Sequence, residues 1–234
     1  MTFMLSIGKT GAQAFQNKID VIGNNIANST TIGYKRNEVS FQDLMYQNAK
    51  LPTMNGEEVK FVQGSGVRAE FVGADFSQGT LIADQNEHSM AIVGEGYFGV
   101  VDEQTGQMLL TRDGSFGVDA NGDLVDAYGR EVMGEWQTTT EGNRIFQPVL
   151  YRPNLTANMT QLSQNNYYVE PENLVSSVDN PEGFGSIRYS TLEGSNVDLA
   201  DEMTDLIIAQ RAYNMSIKSI QTADETWQTI NQLR

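Results

Sequence analysis

Cysteine is absent from the 234 residues, which excludes a disulfide framework, a thiolate metal site and a cysteine nucleophile. Positive charge is scarce: 15 Lys and Arg face 30 Asp and Glu, for a formal net charge of −15. A protein that neutralises phosphates needs clustered cations, so no nucleic-acid partner is expected. No run of 18 apolar residues occurs, and the first 30 residues lack the apolar segment and small-residue cleavage site of a secretory signal. Neither a membrane-spanning helix nor a cleaved leader is therefore expected, and export would need another route. Histidine occurs once, at His88, within the polar "QNEHSM". No G-x-S-x-G elbow accompanies it, so a surface or turn histidine is expected rather than a member of a Ser-His-Asp triad.

Charge is also thin where it would be needed most. Residues 1–34 hold only Lys9, Lys18 and Asp20, against about a quarter charged residues in an average chain. Residues 51–190, by contrast, hold seven basic and twenty acidic side chains, a solvated and mutually repelling surface.

Regular periodicity is what the two ends do contain. Leu5, Gly8, Ala12, Phe15, Ile19, Ile22 and Ile26 recur at alternating spacings of 3 and 4, which predicts a helix of about 26 residues, roughly 39 Å long. Leu206, Tyr213, Ile220 and Trp227 recur every seven residues, with Met203, Ala209, Ile217, Ala223 and Ile230 widening the stripe. A second helix is expected from about Val197 to Gln232, capped by Ser195 or Asn196, with Asp198, Asp201 and Glu202 at the positive end of its dipole. Between them, "AEFVGADF", "MAIVGEGYFGVVD", "GQMLLTRDGSFGVD" and "GDLVDAYGREVMG" alternate short apolar runs with glycine turns, the pattern of an all-β region. The expected fold class is α+β: long N- and C-terminal helices paired as a coiled coil, with a central all-β domain. The expected bounds are 1–30 for the first helix, 31–70 for an extended linker, 71–190 for the β-rich domain and 191–234 for the second helix.

Three motifs fit structure better than chemistry. "GEGYFG" at Gly94–Gly99 matches a dinucleotide fingerprint, but a strand and hairpin turn follow it where phosphate binding requires a helix N-terminus. "DANGDLVDAYGRE" begins like a calcium loop, yet Leu124 and Arg130 stand where Gly and a bidentate Glu are needed; an Asn121-Gly122 turn accounts for it. Tyr213 and Trp227 belong to a helical stripe, not to a ligand-stacking pair. Carboxylates are plentiful, and none can be paired as acid and nucleophile without geometry. No catalytic residue, cofactor or metal is expected.

The amides of the first helix, Asn17, Asn24, Asn25 and Asn28, pose a different question. One reading is a wall of helices in which amides bond across neighbours and Gly8, Gly11, Ala12 and Gly23 allow close approach. The other is a monomeric hairpin with an exposed amide face. Arg211, beside the second stripe, would pair with an acid of a neighbouring helix.

"IDVIGNNIANSTTIGYKR", followed by "FQDLMYQ", resembles the N-terminal signature of bacterial flagellar rod and hook proteins. The resemblance continues through "GSGVRAEFVGADFSQGTL", "MAIVGEGYFGVV", "LLTRDGSFGVDANGDLVDAYGREV" and "LEGSNVDLADEMTDLIIAQRAYNMSIKSIQTADE". It implies an axial structural subunit: terminal helices forming the inner tube of a helical homopolymer, a β domain outside, and a hollow shaft that transmits torque and conducts export. The implied partners are further copies, other rod subunits, the hook protein, surrounding basal-body rings and the flagellar type III export apparatus, with no lipid anchor. The implied location is the extracytoplasmic rod of the basal body. "FQDLMYQ" and "FSQGTL" look more like the distal rod type, "LEGSNV" also resembles the proximal type, and a short hook-type subunit is the further alternative. An enzyme built on the acidic β domain is the rival from another class. The 136–185 segment departs from the rod pattern and looks shortened. The residues expected to serve self-assembly are Phe15, Ile19, Ile22, Asn24, Asn25, Ile26, Asn28, Gly33, Tyr34, Leu206, Arg211, Tyr213, Ile220 and Trp227.

Overall fold

The computed structural model describes residues 2–232 apart from 46, 53–57, 103–105, 139–143, 155–158, 164, 179 and 181–182. The chain divides into two compact units. One joins Met1–Ala27, Asn37–Asp75 and Asp198–Arg234; the other joins Asn28–Arg36 and Phe76–Val197.

The helical unit is built on α1 (Thr2–Ala27) and α2 (Leu199–Gln232). The run Asn28-Ser29-Thr30-Thr31 follows α1, and these side chains compete for backbone hydrogen bonds, so the helix ends there. Asp198 starts α2: its Oδ1 accepts the amides of Ala200 at 2.8 Å and Asp201 at 3.4 Å. The cap thus lies three residues after Ser195 and two after Asn196, the expected positions. Ser195 Oγ instead accepts the Val197 amide, and Asn196 Oδ1 the Arg36 amide.

Residues 31–70, expected as an extended linker, contribute paired strands from Asn37 onward. β1 (Asn37–Asp43) pairs antiparallel with β4 (Val67–Ala74), from Asn37 opposite Ala74 to Asp43 opposite Val67. Between them β2 (Gln47–Pro52) pairs with β3 (Glu58–Gln63). Phe41 on β1 packs its ring 5.2 Å from that of Phe15 on α1.

The β unit holds the remaining strands: β5 (Leu81–Ala83), β6 (Met90–Val93), β7 (Tyr97–Val101), β8 (Met108–Thr111), β9 (Gly117–Val118), β10 (Leu124–Val125), β11 (Glu131–Val132), β12 (Gly134–Thr138), β13 (Arg144–Pro148), β14 (Leu150–Pro153), β15 (Thr160–Ser163), β16 (Asn166–Tyr168), β17 (Leu174–Ser176), β18 (Ser186–Tyr189) and β19 (Thr191–Glu193). The main sheet runs β15-β16-β8-β7-β11-β10-β9, with β14 joining β7 to β17; β12 and β13, β18 and β6, and β19 and β5 form separate pairs. The core gathers Met90, Ile92, Phe98, Val100, Leu109, Phe116, Leu124, Val132, Phe146 and Leu150. Phe98 and Phe116 meet edge to face at 5.1 Å, the favourable aromatic geometry. "GEGYFG" enters β7, which turns back as β8, and Gly122 donates its amide to the Asp119 carbonyl in the turn between β9 and β10. His88 lies in a turn, its ring edge-on to Trp136. Parts of the 136–185 segment, including 139–143 and 155–158, lie outside the described residues.

Candidate self-assembly surface

The helices of the first unit run antiparallel, as three contacts along their length establish. Gly8 faces Ile220 so closely that a Cβ on it would stand 2.7 Å from Ile220 Cγ1; Lys18 reaches Asp205 at 3.7 Å; Asn25 Nδ2 donates to Glu202 Oε2 at 3.2 Å. Ile22 is buried, and Phe15, Ile19, Ile26, Leu206, Tyr213 and Ile220 are half-buried. The alternating spacings therefore mark the face that α1 turns inward.

The amides divide into two groups. Asn24 is exposed, but Asn25 is 1% exposed and fully engaged within its own chain. Its Oδ1 accepts the Asn37 amide and its Nδ2 donates to the Asn37 carbonyl, each at 3.0 Å, as well as to Glu202. Such an amide closes off backbone groups that would be costly to bury alone. Asn28 is also buried, accepting Thr31 Oγ1 at 3.2 Å. Asn25 and Asn28 are thus consumed inside the fold and are not available to neighbours. Trp227, from the same stripe as Tyr213 and Ile220, is 39% exposed, and Met203 and Ile230 are exposed with it. Arg211 is exposed.

The opposite face of α2 carries apolar residues of which only Met203 belongs to the stripe expected from the sequence. Met203, Ile207, Ile208 and Met215 are 45–64% exposed on it. At 100° per residue they fall within one half of the helix circumference, away from buried Glu202, Ala209 and Ala223. The signal is present in "MTDLIIAQ" but is overshadowed by the stronger seven-residue repeat. An open groove of about 670 Å³ lies in the same unit, lined by Ile7, Gly8, Gly11, Phe15, Met215 and Ser219 among others.

Gly33 and Tyr34, expected at the start of a free linker, belong to the β unit, and with Lys35 they are buried. Gly33 has φ of +68°, and a Cβ there would meet the Asp113 nitrogen at 2.6 Å, so only glycine fits without strain. Lys35 donates Nζ to Glu193 Oε1 at 2.7 Å and to the Ser77 carbonyl at 2.8 Å. Arg112 donates to Glu193 Oε2 at 3.2 Å and to the Gly94 carbonyl at 2.8 Å. The Gly79 amide completes the ring around the carboxylate at 2.9 Å. One fully buried Glu thus serves two buried cations, with the Arg112 guanidinium also 5.1 Å from the centre of the Tyr97 ring. Burial pushes the Tyr167 phenol, which lies beside Tyr97, up to about 12.

No group of three or more His, Cys, Asp or Glu is arranged to hold a metal among the described residues, and no described helix is long and apolar enough to cross a membrane.

Residues 5–35 match the family described as "Flagella basal body rod protein", and residues 190–233 the "Flagellar basal body rod FlgEFG protein C-terminal" family. The flagellar basal-body rod protein FlgG of Agrobacterium fabrum is 36% identical, covering 94% of this chain and 95% of that one. FlgG of Buchnera aphidicola subsp. Baizongia pistaciae is 32% identical over 98% of both chains. These alignments run to 250 and 257 positions against 234 residues here, so both relatives carry residues that this chain lacks. The flagellar hook protein FlgE of Treponema pallidum is 37% identical, over 59% of this chain but 31% of its own length.

Proposed function

We propose, since this chain belongs to the FlgG family of flagellar basal-body rod proteins, that it polymerises through its helical unit into the wall of a hollow helical shaft. Family membership makes it a structural subunit of the distal rod type, located in the flagellar basal body and assembling with other rod and hook components. It also removes the enzyme reading, since its relatives are named as rod and hook proteins. Full-length matches to rod proteins, against a match to a third of a longer hook protein, disfavour the hook alternative.

One observation carries the polymer reading: Met203, Ile207, Ile208 and Met215 stand exposed together on α2. A charged or polar outer face would serve a monomer; an apolar one gains about 25 cal/mol per Å² when a neighbour covers it. Head-to-tail contacts that do not close produce helical tubes. In this arrangement the inward faces of α1 and α2 form a coiled-coil hairpin through Phe15, Ile19, Ile22, Ile26, Leu206, Tyr213 and Ile220. Asn24, Arg211 and Trp227 join the outer face of α2 in meeting neighbouring copies. Torque transmission, conduction of export, passage through the type III apparatus and contact with surrounding rings follow as parts of the same proposal.

The test is Ile207→Asp combined with Ile208→Asp, expressed in a flagellated host lacking its own copy. Both side chains are solvent-facing, so the purified variant should keep wild-type helicity by circular dichroism yet be absent from isolated basal bodies. Incorporation at the wild-type level would overturn the proposed surface.

A further inference from the structure

Two pairs of sequence neighbours among the described residues are both large, apolar and exposed: Ile207 and Ile208 on α2, 52% and 56%, and Phe71 and Val72 on β4, 53% and 62%. Both pairs belong to the helical unit. Each stands beside unpaired charges, and the signs are opposite. At about 100° per residue, Arg211 and Lys218 fall between Ile207 and Met215 on the circumference of α2, two turns and about 10.5 Å apart. Both are exposed, and neither side chain has a partner among the described residues. On β4, exposed Glu70 points to the same face as Val72, since strand side chains alternate. β1 brings exposed Glu38, opposite Gly73, to the same end of the ribbon. These two carboxylates also have no partner among the described residues. Arg68, the other charge of β4, lines a pocket with Gln13 and Asn17.

The cations within the apolar face of α2 restrict what can cover it. The α1 helix of a neighbour does not suit, because its charges are Lys9, Lys18 and Asp20, and Asp20 already accepts Gln16 Nε2 at 2.9 Å. The same face of a second α2 repeats both cations, and a symmetric contact of that kind closes into a dimer instead of propagating. The ribbon end supplies what is missing: two carboxylates beside an uncovered aliphatic side chain. Complementary charge fixes the register of such a contact, and two different patches in contact continue from copy to copy. We propose that the outer face of α2 in one copy docks on the β1–β4 ribbon of a second copy, with Arg211 and Lys218 meeting Glu70 and Glu38 while Ile207 and Ile208 cover Val72. This pairing rests on the polymer reading above and adds to it the surface that receives α2.

The test exploits the absence of native cysteine, in a flagellated host lacking its own copy. Asn214→Cys, on the same face of α2, and Ser40→Cys, opposite Glu70 on β1, are placed in one chain, and isolated basal bodies are treated with a short bismaleimide. Neighbouring copies should join into a ladder of covalent dimers, trimers and longer chains, whereas neither cysteine alone should link two copies. Dimers from Asn214→Cys alone would show α2 meeting α2, and a cross-link from Asn214→Cys to a different rod or hook component would show another occupant. Either result overturns the proposal, as does the absence of a ladder from incorporated subunits. A charge exchange tests the same contact without cysteines. Arg211→Glu with Lys218→Glu should lower incorporation about 10-fold, the scale of turning two exposed attractions into repulsions, and adding Glu38→Lys with Glu70→Lys should restore most of it. Unchanged incorporation after the first exchange, or no recovery after the second in a chain of wild-type helicity, would overturn the pairing. Ile207→Asp with Ile208→Asp reports separately on whether the α2 face is used at all, so a lost ladder beside a failed aspartate variant rejects the receiving surface and leaves the polymer standing.

Discussion

The two units treat charge and apolar surface in opposite ways. The β unit buries Lys35, Arg112 and Glu193 together at its centre and encloses its aromatics around Phe98. The helical unit leaves Met203, Ile207, Ile208, Met215 and Ile230 in solvent along one helix. The β unit sets its buried carboxylate against two buried cations and a backbone amide of the same chain, the pairing and hydrogen bonding that a buried charge requires. A row of exposed aliphatic side chains, by contrast, is apolar surface that gains stability only when something covers it. The difference separates a unit that encloses its charges and aromatics from one that leaves apolar surface uncovered.

Three substitutions break or sharpen this contrast. The largest effect is expected from Ile22→Asp, which places a charge at a position 4% exposed on the inward face of α1. A loss above about 4 kcal/mol is expected, enough to separate the helices, with the near-ultraviolet signal of the β unit retained. Collapse of both signals together would show that the units do not fold independently. Next is Glu193→Gln, which leaves Lys35 and Arg112 buried without their shared carboxylate. About 3–5 kcal/mol should be lost, read as a lower urea midpoint for β-unit unfolding. A change under about 1 kcal/mol would mean that water reaches the cluster and screens its charges.

The smallest effect is expected from Tyr167→Phe, since the Tyr167 hydroxyl is buried without a hydrogen-bond partner among the described residues. Near neutral pH the variant should match or exceed the wild type by up to about 1 kcal/mol. The distinction grows in alkali. An unfolded tyrosine ionises near about 10, whereas the folded phenol holds its proton to about 12. This residue's contribution is therefore intact below about 10 and is lost as pH rises through 12. The phenylalanine variant should lack that part of the alkaline decline, and identical pH profiles for the two proteins would contradict the assignment.

The terminal helices were legible because a 3-4 spacing sustained over many residues puts every apolar side chain on one helical face and suits neither a strand nor a loop. The central strands were legible because glycine turns punctuate short apolar runs. Membership of the rod family was legible in the same segments. The role of individual polar residues was not. Asn24 and Asn25 are adjacent and chemically identical, yet one meets solvent and the other closes a network with Asn37 and Glu202; only the approach of β1 decides between them. The ionic cluster was hidden for a related reason. Lys35 and Glu193 are 158 residues apart, and Arg112 and Glu193 are 81 apart, so no local pattern couples them. The available hint was context: each charge lies close to apolar or glycine residues, in "TIGYK", "MLLTRDG" and "TLEGS".

That cluster also insulates. Exposed ion pairs weaken as salt rises, since counterions screen them over about 8–10 Å near physiological strength, whereas buried pairs are screened far less. Lys35 and Glu193 have side chains 1% and 0% exposed, and Lys35 lies in the nine residues, Asn28–Arg36, that continue the chain directly from α1. The stretch that follows the first helix is therefore fastened inside the β unit by an ion pair that counterions screen far less than an exposed one. That fastening should respond to salt much less than any contact made by the acidic exterior.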